Sequence, residues 1–310
     1  VKRLIRAIIE GLEAKPEWQP LLQDLAPDTC RFYIRRGNHK NLVFLFTGTG
    51  TRPRLVIKQP RDAAAARRIT REVSNIKQLA HIDFIPRPFA LVDTPGGPVN
   101  VSPWINAVPL HIRLSHPLQC HIPRRWFALL DQAAARLLHL QTSPTPPPTS
   151  LGTLLADAVL FQSPHAALQD RLRSGAIPTV VQHGDYNPAN LLVYGRDIRL
   201  IDWEWARIPG LPLVDLFNLA LRSTMLRFQW GHHRGGLPGL EHARYTFEQD
   251  TREHRFLQSW VCSFAAALNL DDSAVDLLFR CFMDFTYADT QDEIRRHAGA
   301  VRFEVNNTCT

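Results

Sequence analysis

The stretch from His183 to Glu204 constrains this chain more than any other. His183-Gly184-Asp185-Tyr186-Asn187-Pro188-Ala189-Asn190 is a polar loop. Leu191 and Val193 then alternate with less buried types, and Ile198 and Leu200 do so on the return. Gly195-Arg196-Asp197 between the two runs reads as a three-residue hairpin turn. That turn sets Tyr194 opposite Ile198 and, by the same register, Asn190 opposite Asp202. Opposed residues hold their Cβ atoms about 4.5–5.5 Å apart. An amide oxygen and a carboxylate at that separation could share one hard cation such as Mg²⁺. Asp185 stands at the other end of the loop, where it can face a substrate hydroxyl. One carboxylate for a nucleophile and two oxygen ligands for a metal form a phosphoryl-transfer layout. Each of the three is singly an ordinary loop or strand-end residue; the joint spacing carries the reading.

A second constraint is Lys58, which follows Leu55-Val56-Ile57 on an expected buried strand, where an unpaired ammonium is costly. The helix expected over 61–80 places Ile69, Val73, Ile76 and Leu79 inward, with Glu72 at the border of that face. Glu72 has two available partners, Lys58 and, one turn back on the solvent side, Arg68.

His183-Gly184-Asp185 with Asn190, followed by Ile201-Asp202-Trp203-Glu204, resembles the signature of the aminoglycoside phosphotransferase and choline kinase family. The resemblance implies an α+β, bilobal, protein-kinase-like fold, with a small antiparallel-sheet N-lobe and a larger, mainly helical C-lobe. It makes Asp185 the catalytic base and Asn190 and Asp202 the Mg²⁺ ligands, with His183 and Asp215 in supporting roles. It also favours Lys58 over Arg68 as the partner of Glu72, so that the lysine meets nucleotide phosphates. Pro103-Trp104-Ile105-Asn106 resembles the hinge, where the carbonyl of Pro103 and the N–H of Ile105 would hold the purine. The implied donor is ATP, with GTP as the alternative, and the implied acceptor is a small-molecule hydroxyl. Gly184 stands where protein kinases carry Arg, Trp203-Glu204 replaces Phe-Gly, and thirteen residues separate Asp202 from Asp215. No long activation segment fits there, which argues against protein substrates. A catalytically silent pseudokinase serving as a binding module is the rival class.

Local patterns fill in the rest of the chain. Residues 3–13 have helical periodicity, and strands are expected at 31–34, 42–47 and 54–58, then at 89–92 and 99–102. The turn at Gly37-Asn38 can bring backbone N–H groups over phosphates because Gly37 has no Cβ; a plain hairpin explains the same residues. Helices are expected over 124–141, 151–173, 211–226, 252–269 and 273–289. The expected division is a nucleotide-binding part at 1–102, the hinge at 103–106, and a catalytic and substrate-binding part at 107–310.

The net charge of +7 is uneven: residues 1–150 carry 21 Lys/Arg against 10 Asp/Glu, and residues 151–310 carry 15 against 19. The basic residues are scattered without interleaved aromatics, so nucleic acid is not an expected partner. The acidic half suits a cationic acceptor such as an aminoglycoside or choline, to which Trp203, Trp205 and Trp230 could add cation–π contacts; solvated charge and core aromatics account for the same facts. A sugar or a cell-envelope precursor fits equally well. No apolar run reaches about 18 residues, so no membrane insertion is expected. The five widely spaced cysteines, odd in number and without a Cys-x-x-Cys pair, argue against a zinc site or disulfide framework, and a reducing cytoplasm is expected. No residue pattern sets the oligomeric state.

Overall fold

The computed structural model describes residues 2–115, 123–144, 166–195, 197–231, 239–287 and 301–303. The first part of the helix expected over 151–173 and the side chain of Trp230 lie outside these residues. The chain forms two compact units: residues 1–107 with 199–205, and residues 108–198 with 206–310. The seven residues 199–205, assigned from sequence to the C-terminal part, therefore belong with the N-terminal one.

In the first unit, helix α1 (Lys2–Glu13) precedes a short helix α2 (Gln19–Leu22). Five strands follow: β1 (Arg31–Arg36), β2 (Lys40–Phe46), β3 (Leu55–Pro60), β4 (Ala90–Thr94) and β5 (Gly97–Pro103). They form one antiparallel sheet in the order β1-β2-β3-β5-β4. Alternation decides its two faces. Val43, Leu45, Leu55, Ile57, Val99 and Val101 pack with Ile5, Ile8, Ile9 and Leu12 of α1 into one buried core. Burying each of those four α1 side chains stabilises the unit by about 1.5–3 kcal/mol. The other parity carries Leu42 and Lys58, paired across the β2–β3 register, and Asn100, which pairs with Lys58 from β5.

Helix α3 (Ala63–Gln78) starts at Asp62, whose side chain caps it by accepting from Ala65 N–H. Its buried residues Ile69, Val73 and Ile76 lie on the face that also carries buried Glu72. The helix packs against β5 and the Trp203–Trp205 turn.

The second unit is mainly helical. It contains α4 (Leu110–Leu114), α5 (Pro123–Thr142), α6 (Ala166–Arg173), α7 (Val214–Gly231), α8 (Gly239–Phe247), α9 (Arg252–Leu268) and α10 (Asp272–Thr286). Phe217 of α7 meets Phe279 at 5.3 Å between ring centroids, and Phe279 meets Phe247 at 4.9 Å. Edge contacts of this kind add about 0.5–1.5 kcal/mol beyond burial. Thr251 and Asp271 cap α9 and α10 by accepting from His254 and Ala274 N–H groups.

Short strands frame the polar loop: β6 (Val108–Pro109), β7 (Val180–Gln182), β8 (Leu191–Tyr194), β9 (Asp197–Leu200) and β10 (Arg207–Gly210). β7 pairs with β10, and β6, β8 and β9 make a separate sheet in that order. Asp197, expected in the hairpin turn, instead begins β9, and its carboxylate accepts from Arg136 at 2.9 Å. An ion pair to a distant helix outweighs its turn preference.

Among the described cysteines Cys30 and Cys281 are free thiols and Cys262 is disulfide-bonded. Sequence spacing does not limit which cysteines folding brings together. Among the described residues no helix is long and apolar enough to cross a membrane.

Candidate functional site

The first unit gathers two lysines and three carboxylates. Lys58 on β3 donates to Glu72 Oε1 at 2.5 Å and to Asp202 Oδ1 at 2.7 Å. Glu72 is fully buried, and its oxygens also accept from Asn100 Nδ2 at 3.0 Å and from the Trp203 N–H at 3.1 Å. A buried carboxylate needs that many donors to offset its lost hydration. Arg68, the competing partner, instead sets its guanidinium over the Trp205 ring at 5.6 Å. Burial alone would lower the Lys58 pKa; the Asp202 and Glu72 carboxylates outweigh it and hold the ammonium above the ordinary lysine value. Burial likewise pushes Asp202 up, and Lys58 and Lys40 pull it well below the usual carboxylate range. Asp202 sits at φ +68°, a left-handed conformation that costs a non-glycine residue about 1–3 kcal/mol.

Lys40, at the start of β2, was not singled out in the sequence. It reaches Asp202 Oδ1 at 2.9 Å and Glu204 Oε2 at 3.0 Å. The signal was there in part: Lys40 shares strand parity with Leu42, which pairs with Lys58. At the adjoining turn, Gly37 N–H donates to the Lys40 carbonyl at 3.0 Å. A Cβ on Gly37 would lie 2.6 Å from that carbonyl oxygen, so only glycine fits. Gly37 thus shapes the turn, and its own N–H is spent inside it. At the expected hinge, Trp104 N–H donates to Arg54 at 2.8 Å and Ile105 accepts from Ala107 N–H at 2.8 Å. Trp203 is buried, with its indole N–H on the Leu200 carbonyl at 3.1 Å. It is a core residue, which excludes it from ligand contact.

The second unit holds the polar loop as a tight hydrogen-bonded set. Buried Asp215, at the N-terminal turn of α7, accepts from the His183 N–H at 2.6 Å and the Gly184 N–H at 3.0 Å. Gly184 lies at φ +80°, a region glycine enters without penalty. Burial pushes Asp215 up to about 7, opposed by the His183 and Gly184 N–H groups. Asp215→Asn is expected to destabilise the loop by about 2–4 kcal/mol, because its amide oxygen satisfies one N–H while its NH₂ confronts the other. Faster amide exchange at His183 and Gly184 is the measurement; unchanged exchange contradicts the bracing role.

His183 is fully buried, and its Nδ1 faces the Asp185 N–H at 3.3 Å, so that nitrogen is the acceptor. Both oxygens of Asp185 are gripped: Oδ1 by Asn187 Nδ2 at 2.7 Å and Oδ2 by Asn190 Nδ2 at 2.8 Å. The Asn190 amide nitrogen also reaches the Asp185 carbonyl at 2.9 Å, so the amide's orientation is set and its oxygen is the end left for other partners. Asn187 takes part as well, although no spacing in the sequence singles it out. Tyr186 is buried with its hydroxyl on the Ala133 carbonyl at 2.7 Å, anchoring the loop to α5.

Lys58, Glu72 and Asp202 thus meet in the first unit, and His183, Asp185, Asn190 and Asp215 meet in the second. An antiparallel sheet with a helix-borne glutamate holding a strand lysine, next in the chain to a helical unit with a His-Gly-Asp loop, is a protein-kinase-like fold. The model of the phosphotransferase enzyme family matches residues 34–257, and the chain belongs to that family. Its members are small-molecule kinases and phosphotransferases.

Solved structures similar to the chain include a choline kinase from Cryptosporidium parvum Iowa II, at 14% identity and a TM-score of 0.44, covering 95% of this chain and 92% of that one. Choline kinase LicA from Streptococcus pneumoniae gives 16% and 0.44, with 95% of each chain covered. Macrolide 2'-phosphotransferase MphH from Brachybacterium faecium gives 17% and 0.42, covering 95% and 97%. Scores at this level add nothing to the family assignment. No curated protein matches the chain significantly.

Proposed function

We propose that the chain transfers the γ-phosphoryl group of ATP to a hydroxyl of a small molecule. The observation that carries this reading is the Asp185 carboxylate, fixed by two amides of its own loop, one of them from Asn190. A carboxylate oxygen has two lone pairs, so accepting an amide N–H does not in itself prevent Asp185 from taking the acceptor's hydroxyl proton in a set orientation. A preset orientation lowers the entropy cost of reaching the transition state.

In this reading Lys58, held in place by Glu72, binds nucleotide phosphates. Gly37 gives the neighbouring turn its shape, and Asn38 offers backbone to the phosphates. Pro103 and Ile105 act as the hinge and hold the base. His183 and Asp215 keep the loop in register.

Asn190 and Asp202 would hold Mg²⁺. The donor chemistry fits: Asn190 has committed its NH₂ and retains an amide oxygen, and Asp202 is a carboxylate kept ionised by two ammonium groups. Both are hard oxygen donors of the kind Mg²⁺ takes. The ion, when bound, neutralises charge on the transferred phosphoryl group. Among the described residues no group of three or more His, Cys, Asp or Glu could hold a metal.

The acceptor is a hydroxyl-bearing small molecule: an aminoglycoside, a choline-like amino alcohol, a sugar or an envelope precursor. Trp205 is half exposed and already carries Arg68 on its ring, so it argues for no particular cation. An acceptor screen reading ADP or GDP release with ATP and GTP tests the proposal. Acceptor-dependent release with ATP is expected. A protein that binds nucleotide yet transfers to none of these four classes would be a silent binding module.

A further inference from the structure

Lys40 lies outside every role assigned above. It closes the Gly37–Lys40 turn, and Arg61 braces that turn from the far strand end. The Arg61 N–H donates to the His39 carbonyl at 3.0 Å and its guanidinium to the Gly37 carbonyl at 2.7 Å. From this fixed base the Lys40 side chain meets both oxygens of Asp202, at 2.9 and 3.2 Å, and Glu204 at 3.0 Å.

Two ammonium groups therefore share one oxygen, since Lys58 is also 2.7 Å from Asp202 Oδ1. Like charges that close are tolerated only because three carboxylates surround them. A divalent ion arriving at Asp202 would meet both cations, and one must give way. Lys58 is tied to Glu72, which is fully buried and bonded to Asn100 and Trp203 as well. Among the described residues Lys40 is held by the two carboxylates of the 202–204 turn, on a flexible four-carbon stem. Lys40 is the one that leaves. The nearest new anion is the triphosphate that arrives with the metal.

We propose that Lys40 is a second phosphate-binding lysine, which serves as internal counter-ion of Asp202 and Glu204 until an incoming triphosphate, with or without its metal, draws it onto the phosphates. The inference rests on the nucleotide-binding reading above. It has two consequences of opposite sign. Removing the ammonium strips a cation from the phosphates, so metal-free nucleotide binds less well. It also leaves Asp202 and Glu204 without their competitor, so a divalent ion alone binds better.

The test uses the full chain as wild type, Lys40→Met, Lys40→Gln and Lys40→Arg, with circular dichroism to confirm folding. Mn²⁺ alone is titrated by electron paramagnetic resonance, and ATP in EDTA by calorimetry. The neutral variants should lose about tenfold or more in metal-free ATP affinity, the scale of one charge-assisted phosphate contact, while gaining several-fold for Mn²⁺. Lys40→Arg should keep ATP affinity near wild type. Neutral variants that match wild type in either titration, or that weaken in both, overturn the proposal and leave Lys40 a structural ion pair. A wild type that binds no ATP overturns the nucleotide reading itself, and this inference with it.

Discussion

Asp185→Asn is expected to lower turnover by about 10²–10⁴-fold, the range for loss of a positioned general base. The substitution keeps size and shape but removes the proton acceptor. It also places an NH₂ where Asn187 or Asn190 now donates, since both oxygens of Asp185 accept from amides. One of those bonds is lost whichever way the new amide turns, so part of the loss reflects a looser loop. Asn187→Ala separates the two effects: it frees one oxygen, keeps the carboxylate, and should cost far less in turnover. Rapid-quench measurement of the transfer step, beside calorimetric ATP affinity, gives the comparison. Near wild-type transfer in Asp185→Asn with ATP still bound would remove Asp185 from the chemistry.

Lys58→Met should act on stability and nucleotide binding together. It leaves Glu72 fully buried with two neutral donors and no cation. Breaking a buried pair in this way costs about 3–5 kcal/mol. The pH dependence has a defined sign. The Lys58 pKa is raised in the fold, so its contribution is complete below the ordinary lysine value and is lost as pH rises through the raised one. Asp202 is depressed, so its contribution is complete above the ordinary carboxylate value and is lost as pH falls below it. The stability difference between wild type and Lys58→Met should therefore form a plateau from about pH 5 to about pH 10 and shrink at both ends. Denaturant unfolding across that range, with hydrogen exchange on β3 and α3, measures it. A difference that stays flat to pH 3 would show that Asp202 is not part of the network.

Which of these features could be read from the sequence follows from how local their cause is. The strands and α3 came from alternation and helical period over a few residues. An ammonium on an apolar strand demands an anion and the next helix supplies Glu72, but the residues left Arg68 open as its partner, and only the family resemblance favoured Lys58. Lys40 shows only its strand parity in the sequence, because its partner Asp202 lies 162 residues away and no local pattern encodes that approach. Asn187 escaped notice for a different reason: loop asparagines usually serve their own backbone, and only coordinates show the amide on Asp185. Asp197 reads as a turn residue until Arg136 is seen beside it. The glycine turn leaves open in the sequence whether its backbone faces phosphate or makes a plain hairpin; the Gly37 N–H itself is taken by the Lys40 carbonyl.

The assignment of residues 199–205 to the N-terminal unit limits how the molecule can be dissected. A fragment ending at Ala107 would carry Lys40, Lys58 and Glu72 without Asp202 and Glu204, so two ammonium groups would be left with a single carboxylate. Such a piece is expected to be soft at β2 and β3 and to report poorly on phosphate affinity. Grafting the seven residues back through a short linker, or permuting the chain so that they follow position 107, is the route to a faithful minimal domain.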